Sequence, residues 1–340
     1  MALGWQIALG IALTWLAVGV NVITLDAGKW VPNLGAIIKV VLLLAIIGGA
    51  LVYIQDNGMA NPVTVASLTP TWGEGLQYLP LLIYGMLGFE LVSAGSEEMR
   101  NPASDVPRAI LFSGAIIITL YILGTVAVLA AVPIADIDLV EGLMDTLSLF
   151  FGGSAVGNTL VTLMGVGALY VFFANGVTWA LGCNRAAAEA ALEGELPRAF
   201  AIESKTRGTP IGAAVLMGVV STSVLLLYGL QSGSTSDLFW DLFTFSAVIF
   251  LLPYVGMAMA FMRMRIIDAD HPRPYRVPGN HVTAMGFGAV CAVILLLSIA
   301  LFIYPPGDGL QLPVLVGASV TLAIGEIVIR FAENHRSGNA

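Results

Sequence analysis

Long apolar stretches alternate with short connections rich in glycine, proline, asparagine or charge along nearly the whole chain. Nine such stretches stand at about 5–25, 32–54, 78–97, 108–132, 155–182, 211–230, 238–262, 282–304 and 312–331. A hydrocarbon core about 30 Å thick needs roughly 20 apolar residues per helical crossing, and each stretch is long enough. None has the period-2 alternation of a barrel strand, so each can satisfy its own backbone in lipid only as a helix. The pattern predicts an all-α polytopic membrane protein with nine transmembrane helices.

Composition agrees with the pattern. Of 340 residues, 58% are hydrophobic and 11% charged, whereas a soluble domain carries about 25% charged residues. A soluble enzyme, a nucleic-acid binder and a disordered tail protein are excluded, and a net charge of -8 opposes polyanionic partners. Cys183 and Cys291 belong to no CxxC pair, and the three histidines lack HExxH spacing. No Walker loop, GxSxG or dinucleotide fingerprint is present. No enzyme activity, metal or cofactor is expected.

Charge position gives an orientation. Lys29 follows the first stretch, Arg100 and Arg108 the third, and Arg185, Arg198, Lys205 and Arg207 the fifth. Arg263, Arg265, Arg273 and Arg276 follow the seventh, while Arg330 and Arg336 close the chain. The opposite connections carry acids alone, among them Asp56, Asp138, Glu141 and Asp308. Thirteen of the fourteen basic residues therefore share one side, which the positive-inside rule places in the cytoplasm together with the C-terminus. Nine crossings then put Met1 outside, although the first 25 residues contain no basic signal-peptide region.

The third stretch, YLPLLIYGMLGFELVSAGSEEMRNP, is not a simple helix. Gly85, Gly88 and Glu90 fall near the middle of the bilayer. Glycine weakens a helix by about 1 kcal/mol relative to alanine, and a carboxylate at that depth is costly without a partner or water. One reading is a helix unwound at its centre, with free carbonyls ending near Tyr84 and Gly85 and free amides beginning near Gly88, as transporters use. The other is a close helix–helix contact through Gly85-x-x-Gly88, with Glu90 satisfied by a neighbour. Lys39, inside the second stretch, reads as a lysine snorkelling to the cytoplasmic headgroups. Glu326 and Arg330 are spaced for an i,i+4 pair.

The string GFELVSAGSEEMRNPASDVPRAI resembles the sixth-helix signature of the amino acid–polyamine–organocation (APC) transporter superfamily. NRAAAEAALEGELPRAF (184–200) is similar to the loop after that superfamily's eighth helix, and PRPYRVPG (272–279) to its loop between the tenth and eleventh. GKWVPNLGAIIKV (28–40) is similar to its fourth loop and fifth helix. The resemblance implies a partial fold of two inverted five-helix repeats with two added helices. Residues 1–54 would supply the last two helices of the first repeat. Residues 55–262 would form an outer loop and the complete second repeat, and 263–340 two accessory helices with a short cytoplasmic tail. The nine stretches map onto family helices four to twelve, so the first three are expected to be missing. The broken helix points the same way, because its inverted mate should lie five spans earlier.

The resemblance also implies a function: secondary transport of amino acids or related amines across the cytoplasmic membrane by alternating access, proton-coupled or by exchange. Its partners would be the substrate, the lipid bilayer and protons. The substrate ammonium would meet carbonyls of the unwound stretch formed by Tyr84, Gly85, Leu87 and Gly88. A helix-five lysine marks proton-coupled members, which gives Lys39 a second reading as the coupling group, with Asn175 and Thr178 as polar neighbours. Glu90 would be a proton-carrying gate or an acceptor for exposed amides. A chain lacking three helices is expected not to transport alone, and the alternative is a transport-inactive remnant or scaffold membrane protein.

Overall fold

The computed structural model describes residues 3–23, 30–62, 64–65, 69, 74–88, 99–137, 142–205, 208–273 and 275–337. Among the described residues ten α-helices follow one another: α1 (Leu3–Ile23), α2 (Trp30–Asn57), α3 (Leu79–Gly85), α4 (Pro102–Ala131), α5 (Gly142–Phe151), α6 (Ala155–Leu192), α7 (Ile211–Gln231), α8 (Thr235–Ile267), α9 (His281–Ile303) and α10 (Leu312–Ser337). Eight of them, all but α3 and α5, are long and apolar enough to cross a membrane. The ninth expected crossing, 78–97, contains α3, and from Phe89 onward it lies outside the described residues. Glu90 lies there too, as do Lys29, Asp138, Glu141 and Arg207.

Several boundaries differ from the sequence pattern, each for a local reason. Helix α4 begins at Pro102 rather than near 108, and Pro107 lies inside it. Asn101 starts it: its carbonyl accepts from the Asp105 amide at 2.9 Å, and its own amide donates to the Asp105 carboxylate at 3.3 Å. Proline at the first helical position loses no bond there. Helix α6 continues ten residues past 182, so the first half of the 184–200 segment is helical, with Asn184, Ala188 and Ala191 buried. Helix α5 was not expected. Its ten residues are too few to cross a bilayer, but one face buries Thr146 and Leu147. Helices α6, α8 and α9 are capped by the side chains of Ser154, Ser234 and Asn280, which accept amides at 2.9–3.1 Å.

The chain divides into two compact units, each discontinuous in sequence. One comprises 7–69 and 110–223. In it α5 packs on α2 and α6, with Ile46, Leu147 and Val161 at the centre, and Ala50, Ala127, Ala131 and Val132 form a second cluster. Asn61 ties the segment after α2 to the end of α4 by donating to the carbonyls of Leu129 and Val132. The other unit comprises 1–6, 70–109 and 224–340. Its core joins Ala247, Val248 and Leu251 of α8, Leu295 and Ile299 of α9, and Val314 and Ala318 of α10.

Helix α9 buries small residues along its first half, Ala284, Gly288 and Ala292, and larger ones beyond, Leu295, Ile299 and Phe302. The small residues let backbones approach, and Val282, Phe287, Val290, Val293 and Leu296 leave a large apolar surface facing outward, as expected of a helix whose outside is lipid.

Candidate functional site

The short helix α3 ends where the sequence pattern places a break. Its last turn tightens: the Met86 amide donates to the Ile83 carbonyl at 3.1 Å and the Leu87 amide to the Tyr84 carbonyl at 3.2 Å. Leu87 and Gly88 are not helical, and Gly88 has φ +111°, a conformation closed to side-chain-bearing residues. At Gly85, an added Cβ would meet no atom within 4 Å. Gly85 is therefore not a site of close helix approach among the described residues. Helix carbonyl ends carry partial negative charge, which suits an ammonium group. The Tyr84 carbonyl accepts the Leu87 amide among the described residues, and a carbonyl oxygen has a second lone pair to offer.

Aromatic rings surround this helix end. Tyr84 meets Phe243 and Phe250 of α8 edge to face, at centroid distances of 5.3 and 5.4 Å. Phe243 stacks on Phe239 at 6.0 Å, and Phe250 contacts Tyr254 at 5.1 Å. Positions 239, 243, 250 and 254 recur at spacings of four and seven, one face of a helix. That stripe was visible in the sequence, but nothing there tied it to Tyr84.

Lys39, Asn175 and Thr178 belong to the other unit. Lys39 is half-buried and lies on the face of α2 that carries Gly35, Leu42 and Ile46. No hydrogen bond or ion pair joins it to a described residue. This face packs on α6: a Cβ on Gly35 would lie 2.6 Å from Ala174 Cβ, and one on Gly167 would lie 3.3 Å from Ile38. The helices are thus antiparallel, and position 39 faces the part of α6 on the 167 side of Ala174. Asn175 and Thr178 lie on the other side. Asn175 is exposed, and the Thr178 hydroxyl donates to the Ala174 carbonyl at 2.8 Å. The structure brings neither to Lys39 by a hydrogen bond.

The model of the amino acid permease family matches residues 4–324. A probable agmatine/putrescine antiporter of Lactococcus lactis is 29% identical over 96% of this chain and 72% of its own length. A glutamate/gamma-aminobutyrate antiporter of the same organism is 26% identical over 81% of this chain and 54% of its own length. The cadaverine/lysine antiporter of Escherichia coli is 23% identical over 76% of this chain, and the match spans 57% of that protein. The chain thus spans little more than half the length of two of these three relatives.

Proposed function

The chain belongs to the amino acid permease family, and on that premise we propose that it carries amino acids or related amines across the cytoplasmic membrane by alternating access, without covalent chemistry. The observation that supports the reading is the end of α3 at Gly85, followed by the non-helical Leu87 and Gly88, inside a stretch whose sequence is long and apolar enough for a crossing. Such interruptions free backbone groups for a ligand where side chains alone would need a buried charge. The carbonyl end of α3 receives the substrate ammonium, and the Tyr84 ring, braced by Phe243 and Phe250, walls that end. Three relatives are named as antiporters, two of them for diamines or a basic amino acid and its amine. We extend that substrate class to this chain. Lys39 is the coupling group, because a cation on a packed helix face with no fixed partner among the described residues gains or loses a proton more readily than a paired one. The basic connections face the cytoplasm, and so does the C-terminus.

The test is counterflow. Proteoliposomes carrying the protein together with whatever sequence precedes residue 1 in its gene, and preloaded with unlabelled putrescine, agmatine, lysine or leucine, are given the labelled compound outside. Saturable accumulation with at least one of them, abolished by Gly88→Val, is expected. Accumulation no greater than in empty liposomes for every compound overturns the proposal.

A further inference from the structure

A small cavity lies at the end of the 7–69/110–223 unit where α1 finishes and α7 begins. Asn21, Leu181, Asn184, Arg185, Thr209 and Ala214 line it. Asn21 and Asn184 are each 3% exposed and Thr209 1%. The Asn21 side chain is fixed in orientation, since its Nδ2 donates to the Ala17 carbonyl at 2.9 Å. This leaves Asn21 Oδ1, an acceptor, without a hydrogen-bond partner among the described residues. Asn184 Nδ2, a donor, is likewise buried without a partner. The cavity also touches a pinned turn: the Thr209 hydroxyl donates to the Val22 carbonyl at 3.0 Å, fastening the segment before α7 to the end of α1.

A buried amide group without a partner is costly, and two in one cavity with opposite hydrogen-bonding character call for a common ligand. We propose that this cavity binds one water molecule, which donates to Asn21 Oδ1 and accepts from Asn184 Nδ2, joining α1 to α6 as a fixed part of the fold. Size selects the ligand: about 10 Å³ is available, close to the minimum for a single water. Chemistry selects it too. A cation would face the Asn184 amino group. An anion would face the Asn21 oxygen. Water alone at this size offers both a proton and a lone pair. Leu181 and Ala214 close the apolar side of the cavity, so the two amides supply the contacts that a buried water needs.

The site was invisible in the sequence because Asn21 and Asn184 stand 163 positions apart, each alone on an apolar helix face. It is also independent of substrate and coupling, so it stands or falls separately from the transport reading.

A structure of the protein in lipid nanodiscs, at a resolution that reveals ordered water, is the direct test. A density peak within about 3.2 Å of both Asn21 Oδ1 and Asn184 Nδ2 is expected. Direct bonding of the two side chains to each other, or of each to other protein groups, overturns the proposal. Thermal melts give the second measurement. Asn21→Leu and Asn184→Leu each lower the apparent Tm by about 2–8 °C, because each strands one buried partner. The double substitution costs clearly less than the sum of the two, because no polar group is then left stranded. Strictly additive losses count against a shared water.

Discussion

Replacing Gly35 by alanine puts a methyl where α2 and α6 are in closest contact. The new Cβ would lie 2.6 Å from Ala174 Cβ, while carbon atoms prefer about 3.5–4.0 Å. Both atoms are fixed directly to helix backbone, so no rotamer relieves the clash and the helices must separate by about 1 Å. Overpacking of this kind costs about 1–3 kcal/mol, and the better helix propensity of alanine returns up to about 1 kcal/mol. At the middle of that range the net loss is about 1 kcal/mol, an apparent Tm lowered by about 2–4 °C. The compensating change is specific. Ala174→Gly removes the opposing methyl, so Gly35→Ala with Ala174→Gly moves one methyl across the interface and restores the fit. Melts of the purified single and double variants, followed by size-exclusion of the remaining folded protein, measure both effects. Because Lys39 lies one turn from Gly35, uptake should fall and recover in parallel. A Gly35→Ala protein as stable as the parent, or a double variant less stable than both singles, refutes the packing argument.

Tyr84→Ala deletes two edge-to-face contacts at 5.3 and 5.4 Å, and because the ring is only partly buried a loss of about 2–3 kcal/mol in unfolding stability is expected, below that of a fully buried aromatic. Tyr84→Phe keeps both contacts, and its melting temperature should stay near that of the parent. Arg273 donates to the carbonyls of Met264, Asp268, Ala269 and His271 at 2.7–3.3 Å, closing the end of α8. Arg273→Ala should cost about 1 kcal/mol in thermal melts, and Arg273→Lys should not restore it, since one ammonium cannot reach four carbonyls. Lys39→Ala should leave counterflow intact while abolishing uptake driven by a proton gradient; wild-type proton dependence in that variant removes Lys39 from the coupling role. Gly88→Ala forces a side chain into φ +111° and should cost about 1–3 kcal/mol, measured by melting and by counterflow, whereas Gly85→Ala should be tolerated.

The crossings were legible in the sequence because lipid leaves the backbone one solution, and runs such as 32–54 and 282–304 admit no other element. Their ends were less legible. Helix α6 continues through NRAAAEAAL because alanine-rich sequence outside the apolar window is still strongly helical, a property that a hydropathy run does not measure. Helix α5 was hidden for the converse reason, since ten residues between acidic and glycine-rich segments look like a loop until Leu147 finds Ile46 and Val161. The end of α3 was legible from Gly85 and Gly88 together. The set around Lys39 was not: Asn175 and Thr178 lie close on one helix in sequence, but only the antiparallel register of α2 and α6 decides which residues oppose position 39. The Glu326–Arg330 pair, by contrast, depends on helical spacing alone and forms at 2.7 Å.

Glycine is the residue on which the two readings of the third stretch turned, and the fold gives it three distinct uses. Gly35 and Gly288 are helical, and a Cβ on either would strike a neighbouring side chain, at 2.6 Å from Ala174 and 2.7 Å from Met262. These glycines exist for close approach. Gly88 is not helical and occupies a backbone region that other residues avoid, so it exists for conformation. Gly85 shows neither feature: it ends a helix, and its absent side chain would meet nothing within 4 Å. A Gly-x-x-Gly contact needs both glycines on one helix face against a partner. Gly88 has left the helix and Gly85 has no described neighbour, so no such contact forms among the described residues. The same reasoning explains why Gly48 and Gly49 leave α2 intact. Gly49 is held by Phe150 and Phe151, and the 28-residue helix around both glycines supplies bonds on either side. A helix that stops after seven residues has no such support. Glycine permits α3 to end at Gly85 and the chain to turn through the positive φ of Gly88.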